Sequence, residues 1–259
     1  MPAPKKSLGQ HFLMHRQTAE RITEAAGVGG GDTVLEIGPG TGILTHALCA
    51  RVKKVIAVET DAELIPKLQD EFEPEIASGK LELVQADIRA FDPKTITSPY
   101  HLVANIPYYI TGEIIRQFLE TVHKPLSITL LVQKEVAVRI ARSKKESLLS
   151  LSVKAYGTPK YCFTVPKGAF FPAPTVDSAV LSITNISSPF ASNAEESRFF
   201  EILHAGFAHK RKFLARNLES VAPAPSITAA FANQSLSPNI RAEDVSLEGW
   251  LALAKDLSS

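Results

Sequence analysis

The stretch from Glu36 to Gly42 reads EIGPGTG, and three further polar groups, Glu59, Asp87 and Asn105, close the apolar runs of VIAVE, LELVQAD and YHLVAN. Glycines at Gly38, Gly40 and Gly42 let the chain turn sharply as a helix begins, and let a ligand approach the backbone there. Their spacing is G-x-G-x-G, and Pro39 has no amide hydrogen. A dinucleotide loop sets its third glycine one residue later and keeps its amides for a pyrophosphate, so a ligand without phosphates is expected. Glu59 follows Gly38 by 21 residues, where an acid in a doubly wound fold takes both ribose hydroxyls. Asp87 could accept from an exocyclic amine. A nucleoside lacking phosphates fits this set, and S-adenosylmethionine is such a nucleoside.

Asn105 opens a second motif, NIPYYI, from Asn105 to Ile110. With a methyl donor across the first three strand ends, the fourth should present the acceptor. An adenine N6 amine is a poor nucleophile because its lone pair is delocalised into the ring. The amide oxygen of Asn105 and the backbone carbonyl of Ile106 could each accept one N6 hydrogen and favour a pyramidal nitrogen. Pro107 fixes the bend, and Tyr108 offers a flat face for the base. Tyr109, adjacent on an extended segment, points the other way and is expected to pack. A second stacking surface is expected from Phe170 in FFPAPTV, with Phe171 as the other candidate. No general base is required, and the base must be flipped or unpaired to enter. The N-terminal LGQHFL could fold over the donor and exclude water, with His11 as a packing or hydrogen-bonding contact.

These groups need a parallel sheet to bring them to one edge. TVLEIG, KVIAVET, LELVQAD, YHLVAN and SITLLVQ read as strands, and TGILTHALCARV, DAELIPKLQDEF and GEIIRQFLETV as the helices between them. Strands alternating with helices imply right-handed crossovers and a doubly wound α/β domain. LLSLSVKAY, KYCFTVP and SAVLSIT read as further strands forming an antiparallel edge. After NISSPFASNAEE only helical spacing remains. The expected division is residues 1–186 for the ligand-binding domain and 187–259 for a small all-helical one.

The 259 residues carry a net charge of +1, an unremarkable balance that hides clustering. Cations gather at Lys5 and Lys6, from Arg139 to Lys145, and from His209 to Arg216. Arg139, Arg142, Lys144, Lys145, Lys210, Arg211, Lys212 and Arg216 are candidates for phosphate contact, which would position RNA without reading its sequence. No apolar run approaches the roughly 20 residues a membrane span needs, and the N-terminus has no secretory pattern, so a cytoplasmic protein is expected. Cys49 and Cys162 lie far apart without a C-x-x-C pair and are expected to be reduced, with no metal site.

Taken in order, KKSLGQHFL, VLEIGPGTGILT, VIAVETD, ADI, NIPYYIT, FFPAPTVDSAV and GFAHKRKFLARNL resemble the KsgA family of ribosomal RNA adenine N6,N6-dimethyltransferases over nearly the whole chain. The resemblance implies a Rossmann-like methyltransferase domain with a helical C-terminal domain. It implies dimethylation of two adjacent adenosines in a hairpin near the 3′ end of small-subunit rRNA; the partner expected is that rRNA in an assembling subunit, and the protein is expected to be a monomer. On the matching motifs the donor would contact His11, Leu13, Gly38, Glu59, Asp87 and Asn105. Asn105, Ile106, Pro107 and Tyr108 would form the acceptor slot, with Phe170 stacking on the target base. Phe213 stands where the family's basic motif commonly has threonine. Two other readings share these motifs: an Erm-like enzyme acting on large-subunit rRNA, and a non-catalytic assembly factor, which would be expected to have lost a donor-site group.

Overall fold

The computed structural model describes residues 3–5 and 8–258; Lys6, half of the first basic cluster, lies outside them. Contacts divide the chain into two units, residues 1–138 with 157–186, and residues 139–156 with 187–259.

The first unit is built on a seven-stranded sheet. Its strands are β2 (Thr33–Ile37), β3 (Lys54–Glu59), β4 (Leu81–Gln85), β5 (Tyr100–Asn105), β6 (Ser127–Gln133), β7 (Thr158–Val165) and β9 (Ser178–Thr184), in the spatial order β4-β3-β2-β5-β6-β9-β7. The first five are parallel to one another, β9 pairs antiparallel with β6, and β7 pairs antiparallel with β9. The order reverses beside β2, the switch point where open α/β sheets bind ligands. Two short strands, β1 (Phe12–Leu13) and β8 (Phe170–Phe171), pair outside this sheet.

Every residue of β2 is buried, and only Lys54 of β3 is not, as expected for strands covered on both faces. The cover comes from α1 (Arg16–Ala26), α2 (Ile43–Cys49), α3 (Ile65–Glu71), α4 (Glu73–Ala77) and α5 (Thr111–Glu120). The segment expected as a helix, DAELIPKLQDEF, yields α3, and α4 follows it after Phe72, where Pro74 in the first turn of α4 cannot continue the ladder of α3. Helix α6 (Lys134–Ala141) follows β6 and crosses the division at 138/139.

The second unit contains α7 (Leu148–Tyr156), α8 (Asn193–Phe207), α9 (Leu214–Leu218), α10 (Ala224–Asn233) and α11 (Leu247–Asp256). Its core includes Phe199, Ile202, Leu203, Leu214, Leu218, Trp250 and Leu253, all essentially inaccessible. The strand expected over LLSLSVKAY is instead α7. Its serines mimicked strand alternation, yet they face inward: Ser150 Oγ donates to Ser147 O at 3.0 Å and Ser152 Oγ to Leu148 O at 2.8 Å. Such bonds satisfy a buried hydroxyl within the helix. Residues 139–156 therefore belong with the helical unit rather than with residues 1–186. Both the Arg139–Lys145 and the His209–Arg216 basic stretches fall in that unit.

Candidate active site

At the carboxyl edge of β2, β3, β4 and β5 lies a cavity lined by Gly38, Gly40, Glu59, Asp87, Asn105, Ile106, Pro107 and Tyr108, and by Leu8 to Leu13 of the N-terminal segment. Gly38, Gly40 and Gly42 all adopt positive φ, of 67°, 60° and 81°, a region other residues enter only under strain. Gly42 has a further reason to be glycine: a Cβ there would lie 2.6 Å from Phe72 Cε2.

Glu59 ends β3 and is 4% exposed. Gly40 N donates to its Oε2 at 3.1 Å and Asp61 N to its Oε1 at 2.8 Å. Burial raises its pKa above the ordinary carboxylate range, against these backbone hydrogen bonds. Asp87 is more committed than the sequence indicated. Arg89 Nε lies 3.0 and 3.1 Å from its two oxygens and Arg89 Nη2 2.6 Å from Oδ2, and that partner holds the Asp87 carboxyl below its usual pKa. Carboxylate oxygens keep further lone pairs, so Asp87 still has acceptor capacity.

Asn105 Nδ2 donates to His11 O at 3.1 Å. This fixes which end of the amide is the donor and leaves Oδ1 as the free acceptor. The His11 ring bonds Pro172 O through Nδ1 at 2.7 Å, so Nδ1 carries the hydrogen. The same ring stacks on Tyr108, with centroids 5.8 Å apart and planes 21° from parallel. Tyr108 itself is tethered by a 2.6 Å bond between its hydroxyl and Ser178 Oγ.

Two aromatic expectations are corrected. Phe170 is 4% exposed and belongs to the core with Phe12 and Leu13, whereas Phe171 is half exposed. Neighbours on a strand point to opposite sides, and here β8 turns Phe170 inward. Tyr109, expected to pack, is 67% exposed and lines the cavity. It follows Pro107 and Tyr108 in a 3₁₀ turn rather than in a strand.

Sequence reasoning missed Asp61, a hub beside Glu59. Its Oδ1 takes Lys5 Nζ at 2.6 Å and its Oδ2 takes Gln10 Nε2 at 2.9 Å, while its own N–H holds Glu59. Burial opposes its charge, but Lys5 and Gln10 outweigh it and lower the pKa. The pattern V-E-T-D with lysine and glutamine upstream was the available signal, yet nothing local pairs residues 56 positions apart. Asp61→Asn is expected to raise the KM for the donor about three- to tenfold, the loss of roughly one good hydrogen bond, with kcat little changed. Equal falls in kcat and kcat/KM in steady-state assays would contradict this positioning role.

The lining fits a sulfonium nucleoside. It presents two carboxylates at successive strand ends, its arginine is paired with Asp87, and Ile37, Leu44, Val58 and Ile88 supply apolar wall. That balance suits a cation and disfavours a pyrophosphate.

The model of the family described as ribosomal RNA adenine dimethylase matches residues 2–259. The chain belongs to this family. A relative from Dehalococcoides mccartyi, a ribosomal RNA small subunit methyltransferase A, is 40% identical over 255 residues, covering 96% of this chain and 87% of its own. One of the same name from Lactococcus lactis is 36% identical, covering 98% and 90%. The 23S rRNA methyltransferase ErmE superposes with a TM-score of 0.77 at 27% identity, over 96% of this chain and all of that one. A dimethyladenosine transferase from Plasmodium falciparum shares the fold, with a TM-score of 0.79 at 24% identity over 94% of this chain and 96% of its own. This rRNA adenine dimethylase is thus an S-adenosylmethionine-dependent methyltransferase.

The eight candidate RNA-contacting cations, Arg139, Arg142, Lys144, Lys145, Lys210, Arg211, Lys212 and Arg216, are all exposed. Lys145 is paired with Glu243, and with Asp244 at 3.8 Å, and Arg216 is paired with Glu219 at 3.4 Å.

Proposed function

We propose that this protein dimethylates the N6 amines of two adjacent adenosines in a hairpin near the 3′ end of small-subunit rRNA, acting as a cytoplasmic monomer on an assembling subunit. The observation that carries the reading is the tethered Asn105: its amide nitrogen is occupied by His11 O, which leaves its oxygen as an acceptor in a cavity that Tyr108 also lines. S-adenosylmethionine, when bound, supplies a methyl group already activated on a sulfonium. Glu59 holds the ribose, Asp87 the adenine amine, and Gly38, Gly40, His11 and Leu13 complete the donor site.

In the first transfer Asn105 Oδ1 and Ile106 O accept the two N6 hydrogens, and in the second one of them accepts the single hydrogen that remains; each time the nitrogen lone pair takes the methyl as its bond to the sulfonium sulfur breaks and leaves a neutral thioether. Once the nitrogen is methylated its proton leaves to solvent, so positioning and the exclusion of water are what the chain contributes. Phe171, the exposed member of its pair, takes the stacking role expected of Phe170. The small-subunit assignment is supported by relatives of that name at 36–41% identity, against 27% for the 23S enzyme.

The test is transfer of labelled methyl from S-adenosylmethionine to small-subunit particles lacking these methyl groups, with large-subunit rRNA in parallel. Dimethyladenosine in the small-subunit RNA is the expected product. Label confined to large-subunit RNA would move the assignment to an Erm-like enzyme, and no label despite donor binding would favour an assembly factor.

A further inference from the structure

In the helical unit, every residue between α8 and α9, Ala208 to Phe213, is exposed, and the run includes His209, Lys210, Arg211, Lys212 and Phe213. The turn is held from beneath. Asn217, 5% exposed, donates through Nδ2 to Gly206 O at 2.6 Å and to His209 O at 3.1 Å. Lys212 N bonds His209 O at 3.0 Å, and Leu214 N bonds Ile240 O at 2.8 Å. Leu214 is wholly buried. Phe213, extended at φ −66° and ψ 150°, therefore projects opposite to it and is 43% exposed. Among the described residues, Lys210, Arg211 and Lys212 form no ion pair.

A single exposed aromatic is ordinary on a protein surface. Here it sits on a braced turn, directly beside three unpaired cations, and that combination has a specific chemistry. The cations complement a polyanion, and a flat apolar ring beside them adds a face on which a base can stack without regard to its identity. We propose that Phe213 is a stacking platform for an unpaired RNA base, with Lys210, Arg211 and Lys212 gripping the flanking phosphates. The proposal rests on the reading of RNA as substrate and adds to it a contact that requires a single-stranded or looped-out nucleotide. A duplex, whose bases are stacked on one another, gains nothing from Phe213.

The test compares affinities of the full chain for a fluorescent single-stranded oligoribonucleotide and for a duplex of equal length, across a salt series. Phe213→Ala is expected to weaken single-strand binding on the order of tenfold, to leave duplex binding unchanged, and to leave the slope of log affinity against log salt unaltered. Phe213→Trp should restore binding. Lys212→Ala should weaken both ligands and reduce the slope by about one. Phe213→Ala that changes nothing, or that weakens single strand and duplex alike, would overturn the stacking role while leaving RNA binding intact. A wild-type chain that binds neither RNA would overturn the RNA reading itself, and this proposal with it. An unchanged thermal midpoint of the variant separates lost stacking from lost folding.

Discussion

Replacing Asn105 with alanine is expected to lower kcat for methyl transfer by about 10²–10³-fold, while donor affinity falls by less than about tenfold. Two things are lost together. The amide oxygen no longer accepts an N6 hydrogen, so the amine nitrogen keeps its planar, delocalised and weakly nucleophilic form. The bond from Nδ2 to His11 O, 3.1 Å long, also disappears, and with it one of the tethers of the N-terminal segment at the cavity. Glu59 and Asp87, on other strands, remain to hold the donor, which is why the loss should fall on turnover. Asn105→Asp separates the two contributions. It retains an acceptor oxygen but points a second one at the His11 carbonyl, so the tether becomes a repulsion while the size stays the same. Single-turnover rates with saturating donor, alongside calorimetric donor affinities, read these quantities directly. A kcat within threefold of wild type for Asn105→Ala would remove the amide from the mechanism.

The strand-end groups were legible in the sequence because parallel strands buried on both faces read as apolar runs, and a polar residue at the end of each run stands out. Glu59, Asp87 and Asn105 lie at one edge because β3, β4 and β5 run in register with their neighbours. What links them was hidden. His11 meets Pro172 across 161 positions and Asn105 across 94, and no local pattern encodes such pairings. The facing of Phe170 and Phe171 was equally undetermined, since a two-residue strand has no periodicity to read. In α7, nearly continuous burial from Ser150 to Tyr156 removed the polar stripe that marks a helix. Glu36 was visible as a letter in EIGPGTG, but nothing nearby announced that its side chain is completely inaccessible.

That burial of Glu36 leads to the second large effect, a pH-dependent loss of stability that Glu36→Gln should abolish. Glu36 lies in β2 between Ala57 of β3 and Val103 of β5, at 0% exposure. Neither of its carboxylate oxygens, nor the hydroxyl of Thr45, makes a hydrogen bond of ordinary geometry among the described residues. Burial pushes its pKa up to about 8, with nearby Glu59 adding to the effect and the Thr45 dipole opposing it. The folded protein therefore holds this proton until about pH 8, whereas the unfolded chain releases it near the ordinary 4.5. Between those values the unfolded state binds fewer protons, so stability falls as pH rises, by about 1.4 kcal/mol per unit. The full window amounts to something on the order of 3–5 kcal/mol. Glutamine is neutral throughout and nearly the same shape, so its stability should lack this slope. Any cost of burying its amide is independent of pH and appears as a constant offset. His101, whose pKa burial lowers, contributes a slope of opposite sign near neutrality, and the quantity to read is therefore the difference between the wild-type and Glu36→Gln curves. Urea midpoints followed by far-ultraviolet circular dichroism suit this test. Trp250, the single tryptophan, sits in the helical unit and would report on the wrong part of the chain. The difference should grow steadily from pH 5 to pH 8 and level off above it; a difference that stays constant over that range would mean that Glu36 is ionised in the folded protein.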